Sequence, residues 1–183
     1  MKVTNDFVAD EMAKKLILLF IFEKMEFPLT DESINSIIGQ NPSWLTYMDF
    51  REALFGLIQS KFVYQTTLAS EISFTITQEG RGALGHFFHK IPASIREEII
   101  EFARENRPKF KRRQEYTWDY FKNADGTYTV ALNIRDHVIG NNLLEIKFKT
   151  DTRIGAKRAT GKWREKAAQI YESIYMLTQE EPK

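Results

Sequence analysis

The run from Pro28 to Gly80 constrains this chain more than any other stretch. It holds two helical patterns, a short break between them, a two-stranded ribbon and the start of a further helix, in that order. Ahead of it, residues 11–25 (EMAKKLILLFIFEKM) are apolar on nearly every side, as expected of a buried first helix. Pro28 stops that helix, and Thr30 or Asp31 can cap the next, whose apolar positions are Ile34, Ile37 and Ile38. Gly39 suits a left-handed helix end, Asn41 an N-cap and Pro42 a first helical residue. The break is then about three residues, the length helix-turn-helix geometry requires.

A third helix is predicted over roughly Pro42 to Ser60. At about 100° per residue, Tyr47, Phe50, Leu54, Leu57 and Ile58 fall on one stripe, widened by Trp44, Met48 and Phe55, and burial accounts for all of them. The opposite face carries Thr46, Asp49, Glu52, Ala53, Gly56 and Gln59, and Arg51 falls inside the apolar arc, where it snorkels or pairs with a carboxylate. FVYQTT and ISFTIT then alternate with period two around LASE, making a hairpin whose tip is not basic. Together these elements predict a winged helix-turn-helix over residues 1–106, a module that most often lays its second motif helix in the DNA major groove.

The rest of the chain changes character. QEYTWDYFK, the turn Ala124-Asp125-Gly126 and TYTVALNIR predict a hairpin, with Asp-Gly supplying positive φ angles. In the second strand Tyr128, Val130, Leu132 and Ile134 alternate with Thr129, Ala131, Asn133 and Arg135, and LLEIKFKT repeats the pattern with Leu144, Ile146 and Phe148. A helix over about Thr152 to Thr178 presents Trp163, Ala167, Ile170, Tyr171, Ile174 and Leu177 to one side. The expected fold class is therefore α+β: the winged helix-turn-helix, then a small antiparallel three-stranded sheet covered by one long helix over residues 107–183.

Charge separates the candidate functions. Residues 1–90 hold 8 Lys and Arg against 11 Asp and Glu, a net of −3, whereas residues 91–183 hold 18 against 14. Duplex DNA attracts proteins mainly through phosphate contacts from Lys and Arg, so Asp49 and Glu52 on an exposed third-helix face are a poor match to it. The one concentrated basic stretch is RENRPKFKRR, after a helix expected over about Ser94 to Glu105 and broken at Pro108. It reads as a solvated inter-domain linker, or as a segment contacting phosphates beside the winged domain or an acidic partner.

Apparent catalytic signals dissolve. Gly80-Arg81-Gly82-Ala83-Leu84-Gly85 has dinucleotide-fingerprint spacing, but Pro92 interrupts too soon for the long helix and second parallel strand that motif needs. His86 and His89 stand at i, i+3 without a third ligand, and His137 beside Asp136 has no nucleophile near it in sequence. No triad, paired carboxylates or phosphate loop is present, so neither an enzyme, a cofactor nor a metal site is expected. The chain has no cysteine, and LILLFIF is too short to span a bilayer and lacks a secretory signal's layout; a soluble cytoplasmic protein is expected.

The junction Phe74-Thr75-Ile76-Thr77-Gln78-Glu79-Gly80 resembles the Y-x-[IL]-T-x-x-G pattern of MarR- and PadR-like winged-helix regulators. FPLT (27–30), LIQSKF (57–62), TITQEGR (75–81) and the IP before a Glu-rich helix (from Ile91) further resemble an uncharacterised bacterial family catalogued as a domain of unknown function. That resemblance implies a transcriptional regulator with a C-terminal α/β region.

Two functions follow as expectations. In the first, double-stranded DNA is bound, with Asn41, Ser43 and Thr46 in the groove and Lys109, Lys111, Arg112 and Arg113 on phosphates. In the second, the winged helix docks a protein through the Asp49/Glu52 face, and a ligand-sensing C-terminal domain is compatible with either. A homodimer is expected in both cases, through the apolar first helix or the aromatic last one.

Overall fold

The computed structural model describes residues 10–68, 71–136 and 141–179. The chain divides into two units, Met1–Pro108 and Lys109–Lys183. Unit 1 is built on α1 (Glu11–Met25), capped by Asp10, whose side chain accepts from the Met12 amide. Ala13, every residue from Leu16 to Phe22, and Met25 are buried, so α1 is the axis of the unit's core. Its stop is not Pro28 but Glu26, whose left-handed backbone (φ 62°) turns the chain while its amide donates to the Phe22 carbonyl.

Next come β1 (Leu29–Thr30), α2 (Asp31–Gln40), α3 (Tyr47–Gln59), β2 (Val63–Leu68), β3 (Glu71–Ile76) and α4 (Gln78–Phe87). The sheet order is β1-β3-β2, antiparallel throughout, with Leu29 opposite Phe74 and Val63 opposite Ile76. The two-residue β1 has no counterpart in the sequence pattern. Thr30 caps α2, as expected, through its hydroxyl and the Ser33 amide.

Three expectations about the α2–α3 connection are corrected. Gly39 is helical rather than left-handed, and Asn41 ends α2 instead of starting α3. The helix expected from Pro42 starts only at Tyr47, so the connection is 41–46, about twice the three residues expected. The cause is burial: Trp44 and Leu45 are 1% and 0% exposed, and the Trp44 indole donates to Glu98 Oε2 (2.7 Å) and meets the Phe102 ring edge-on.

Glu98 and Phe102 lie on α5 (Ala93–Glu115), reached from α4 by a 3-10 turn (Phe88–Lys90). The expected break at Pro108 does not occur. Proline removes one ladder hydrogen bond, yet the helix is held on both sides, by Arg107 on Glu26 and by buried Phe110. The basic stretch is therefore helical, and the boundary between the two units falls within it.

Unit 2 is an antiparallel meander of β4 (Tyr116–Lys122), β5 (Tyr128–Arg135) and β6 (Asn142–Thr150), one face of which is covered by α6 (Arg153–Gln179). Tyr116, Val130, Leu132 and Ile134 pack with Ala156, Trp163 and Ala167, and the Trp163 indole donates to the Asn133 carbonyl (3.2 Å). The other face is chiefly polar, with Asp119, Ala131 and Lys147 in one row. The hairpin turn differs in detail from expectation. Only Gly126 has positive φ (85°), and the Gly126 amide donates to the Asn123 carbonyl, so a longer loop ending in a left-handed glycine replaces the two-residue Asp-Gly turn.

Candidate functional site

α3 is fixed before it presents anything. The Thr46 hydroxyl accepts from the Asp49 amide, and the Asp49 carboxylate accepts from the Thr46 amide and hydroxyl, a reciprocal capping box. The same carboxylate takes the Lys14 ammonium of α1 at 2.5 Å. Burial pushes the Asp49 carboxyl up, but the hydrogen bonds from Lys14 and Thr46 outweigh it and leave the group below its ordinary value. Lys14 is raised, chiefly by its bond to Asp49 and against the opposing effect of burial.

The face toward the core is Phe50, Ala53, Leu54 and Leu57, and Gly56 closes on Lys15, whose Cε would lie 2.6 Å from a Cβ there. This corrects the predicted stripe. Tyr47, Met48 and Phe55, expected in the core, are 57%, 63% and 66% exposed, while Ala53, expected outside, is buried. Asp49 is likewise not on an open face, being turned to Lys14, whereas Glu52 is exposed. Arg51 pairs with Asp31 at 2.5 Å and lies 5.8 Å from the Tyr47 ring centroid and 5.6 Å from that of Phe50. The outward face thus consists of Tyr47, Met48 and Phe55 with Glu52 and Gln59 among them, and its guanidinium is already paired.

The expected groove contacts are not brought together on that face. Asn41 is half-buried, its amide nitrogen donating to the Ile37 carbonyl, and Thr46 is engaged in the cap; Ser43 is exposed. Of the basic residues on the last turns of α5, Lys111 lies 3.8 Å from Glu115, Arg113 sits over the Phe110 ring, and Lys109 and Arg112 are exposed. The residues that matter and were missed are Lys14 and the outward apolar trio. Two signals for them existed: the Thr46-x-x-Asp49 spacing of a capping box, and small Ala53 and Gly56 beside Leu54 and Leu57, which mark a close helix–helix contact.

The remaining motifs resolve into structure. GRGALG lies in α4, where the Thr77 hydroxyl accepts from the Gly80 amide and donates to the Lys61 carbonyl. Gly80 passes so close to the start of β2 that a Cβ would stand 2.2 Å from the Phe62 carbonyl oxygen. The Thr-x-x-Gly pair is thus a cap plus a close backbone approach. His86 lies in the last turn of α4 and His89 in the 3-10 turn, both exposed, and among the described residues no group of three or more acidic or His side chains could hold a metal ion. His137 lies outside the described residues. Among those residues no helix is long and apolar enough to cross a membrane.

The family model described as Domain of unknown function (DUF4364) matches residues 14–177, and the chain belongs to that family. No curated protein matches it.

Proposed function

We propose that this member of the DUF4364 family is a regulatory protein of winged-helix type whose α3 docks a protein partner. In this reading α2, α3 and the β2–β3 hairpin are the winged helix-turn-helix, in the manner of MarR- and PadR-like proteins. The observation that carries the docking role is the outward face of α3. It offers Tyr47, Met48 and Phe55 where a groove-reading helix needs hydrogen-bonding side chains and nearby cations. Protein interfaces are enriched in aromatic residues and methionine, and their central anchors are large side chains of this kind. Glu52, the exposed acid of the face, suits a partner that presents a lysine or arginine beside an apolar patch.

Sequence-specific binding of double-stranded DNA is the second reading. The helix–helix–hairpin order favours it, as do exposed Ser43, Lys109 and Arg112. Titration against pooled genomic duplexes at low and moderate salt separates the two. Docking expects only weak binding that salt abolishes and that Glu52→Gln strengthens for every sequence alike. Saturable, sequence-selective binding at moderate salt that shifts with Ser43→Ala would establish the DNA reading instead.

A further inference from the structure

We infer that the C-terminal end of α6 is a self-association site, taking the same segment of a second copy of this chain as its occupant. Ala156, Thr160, Trp163, Ala167, Ile170, Ile174 and Leu177 follow one another at intervals of four and three residues without a break. A stripe at that spacing is the face a helix buries against a neighbouring element. Its first four positions are buried under the unit's own sheet, and Ile170 packs at the edge of that core. The last two positions are exposed, Ile174 by 37% and Leu177 by 73%.

Length explains the change. α6 has 27 residues, roughly 40 Å at the usual rise, whereas the eight residues of β5 reach only about 27 Å. The helix outruns its sheet, and the seam continues past it. Away from the seam, Tyr171 and Tyr175 are exposed on one flank, their rings stacked 6.5 Å apart, and Met176 on the other.

Charge sets the direction of that pairing. Residues 153–166 carry six Lys and Arg against one Glu, while residues 167–179 carry a single charge, Glu172. A parallel pairing along the whole of α6 would set two strongly basic segments side by side. An antiparallel, tip-to-tip pairing centred on Ile174 overlaps only the nearly uncharged ends and keeps the basic roots apart. Such a contact is isologous, each copy offering the patch it receives. The exposed apolar side chains are spread around the tip, so one pairing covers Ile174, Leu177 and only their near flank, less than the roughly 1,200 Å² of a standard specific interface, which fits a weak, reversible dimer. The alternative surface expected from sequence, the apolar α1, is buried inside unit 1.

The chain contains no cysteine, so single cysteines report proximity cleanly. In the full-length protein, Ile174→Cys is expected to cross-link to a dimer on mild oxidation, and Lys162→Cys in the basic root is not. Light scattering of the unmodified protein is expected to rise from 21.5 kDa toward twice that mass with concentration. Ile174→Asp with Leu177→Asp should hold it at the lower mass with an unchanged circular dichroism spectrum. Equal cross-linking at both positions, or none at Ile174→Cys, would overturn the inference. So would a mass fixed at 21.5 kDa into the hundred-micromolar range.

Discussion

Replacing Gly80 with Ala tests the strand-to-helix junction, and Gly82→Ala two residues further along α4 is its control. At Gly80 the new Cβ would lie 2.2 Å from the Phe62 carbonyl oxygen and 3.0 Å from Ile76 Cγ1, where ordinary contact begins at 3.4 Å. One side or the other must move by about 1 Å, a displacement of the kind that costs roughly 1–3 kcal/mol in a packed interior. The obstructing oxygen is not free to yield. It accepts from the Thr77 amide (3.0 Å) and hydroxyl (3.2 Å), and weakening each bond costs about 1 kcal/mol more. Helix propensity returns only about 0.5–1 kcal/mol. The expected net loss for Gly80→Ala is about 2–4 kcal/mol. At Gly82 nothing lies within 4 Å, so the same substitution should stabilise by about 0.5–1 kcal/mol. Urea unfolding followed by circular dichroism reads both, and midpoints that shift in the same direction, or a Gly80→Ala loss under about 0.5 kcal/mol, would refute the close-approach argument.

Thr46→Ala should cost about 1 kcal/mol through the lost N-cap and leave any DNA preference unchanged, which thermal unfolding and a duplex titration together would check. The Lys14–Asp49 pair should make stability depend on pH at both extremes. Because the Asp49 carboxyl is lowered on folding, its contribution is complete above about pH 4 and is lost as pH falls through the depressed value. Because Lys14 is raised, its contribution is complete below about pH 10 and is lost as pH rises through the elevated value. The stability difference between the unmodified protein and Asp49→Asn should therefore be larger at pH 7 than at pH 3; a difference independent of pH would contradict the pairing.

Most of the architecture was legible because it rests on local patterning. The all-round apolarity of residues 16–22 marked a central helix, and the alternation of Val130, Leu132 and Ile134 marked a strand with one covered face. Thr30 could be read as a cap because its partner is three residues away. What failed depended on contacts distant in sequence. The position of Trp44 is set by Glu98, 54 residues on, and moved the start of α3 from Pro42 to Tyr47. The buried stripe is centred nearer Ala53 than Tyr47 and Met48, and the outward face is aromatic where it was expected to be acidic. Asp49 is engaged by a lysine 35 residues away, which no local pattern records. Pro108 misled for a related reason, since tertiary anchors on both sides outweigh its local cost. The candidate site thus turned on a helix whose start the sequence placed wrongly.

The docking role of α3 is tested most directly by a photo-crosslinking amino acid placed at position 55 in the native cell, with the same group at exposed Lys162 as a control. The expected result is a discrete adduct specific to position 55 that protease destroys and nuclease leaves intact. An adduct at position 55 that nuclease removes, or the same adducts at positions 55 and 162, would contradict it.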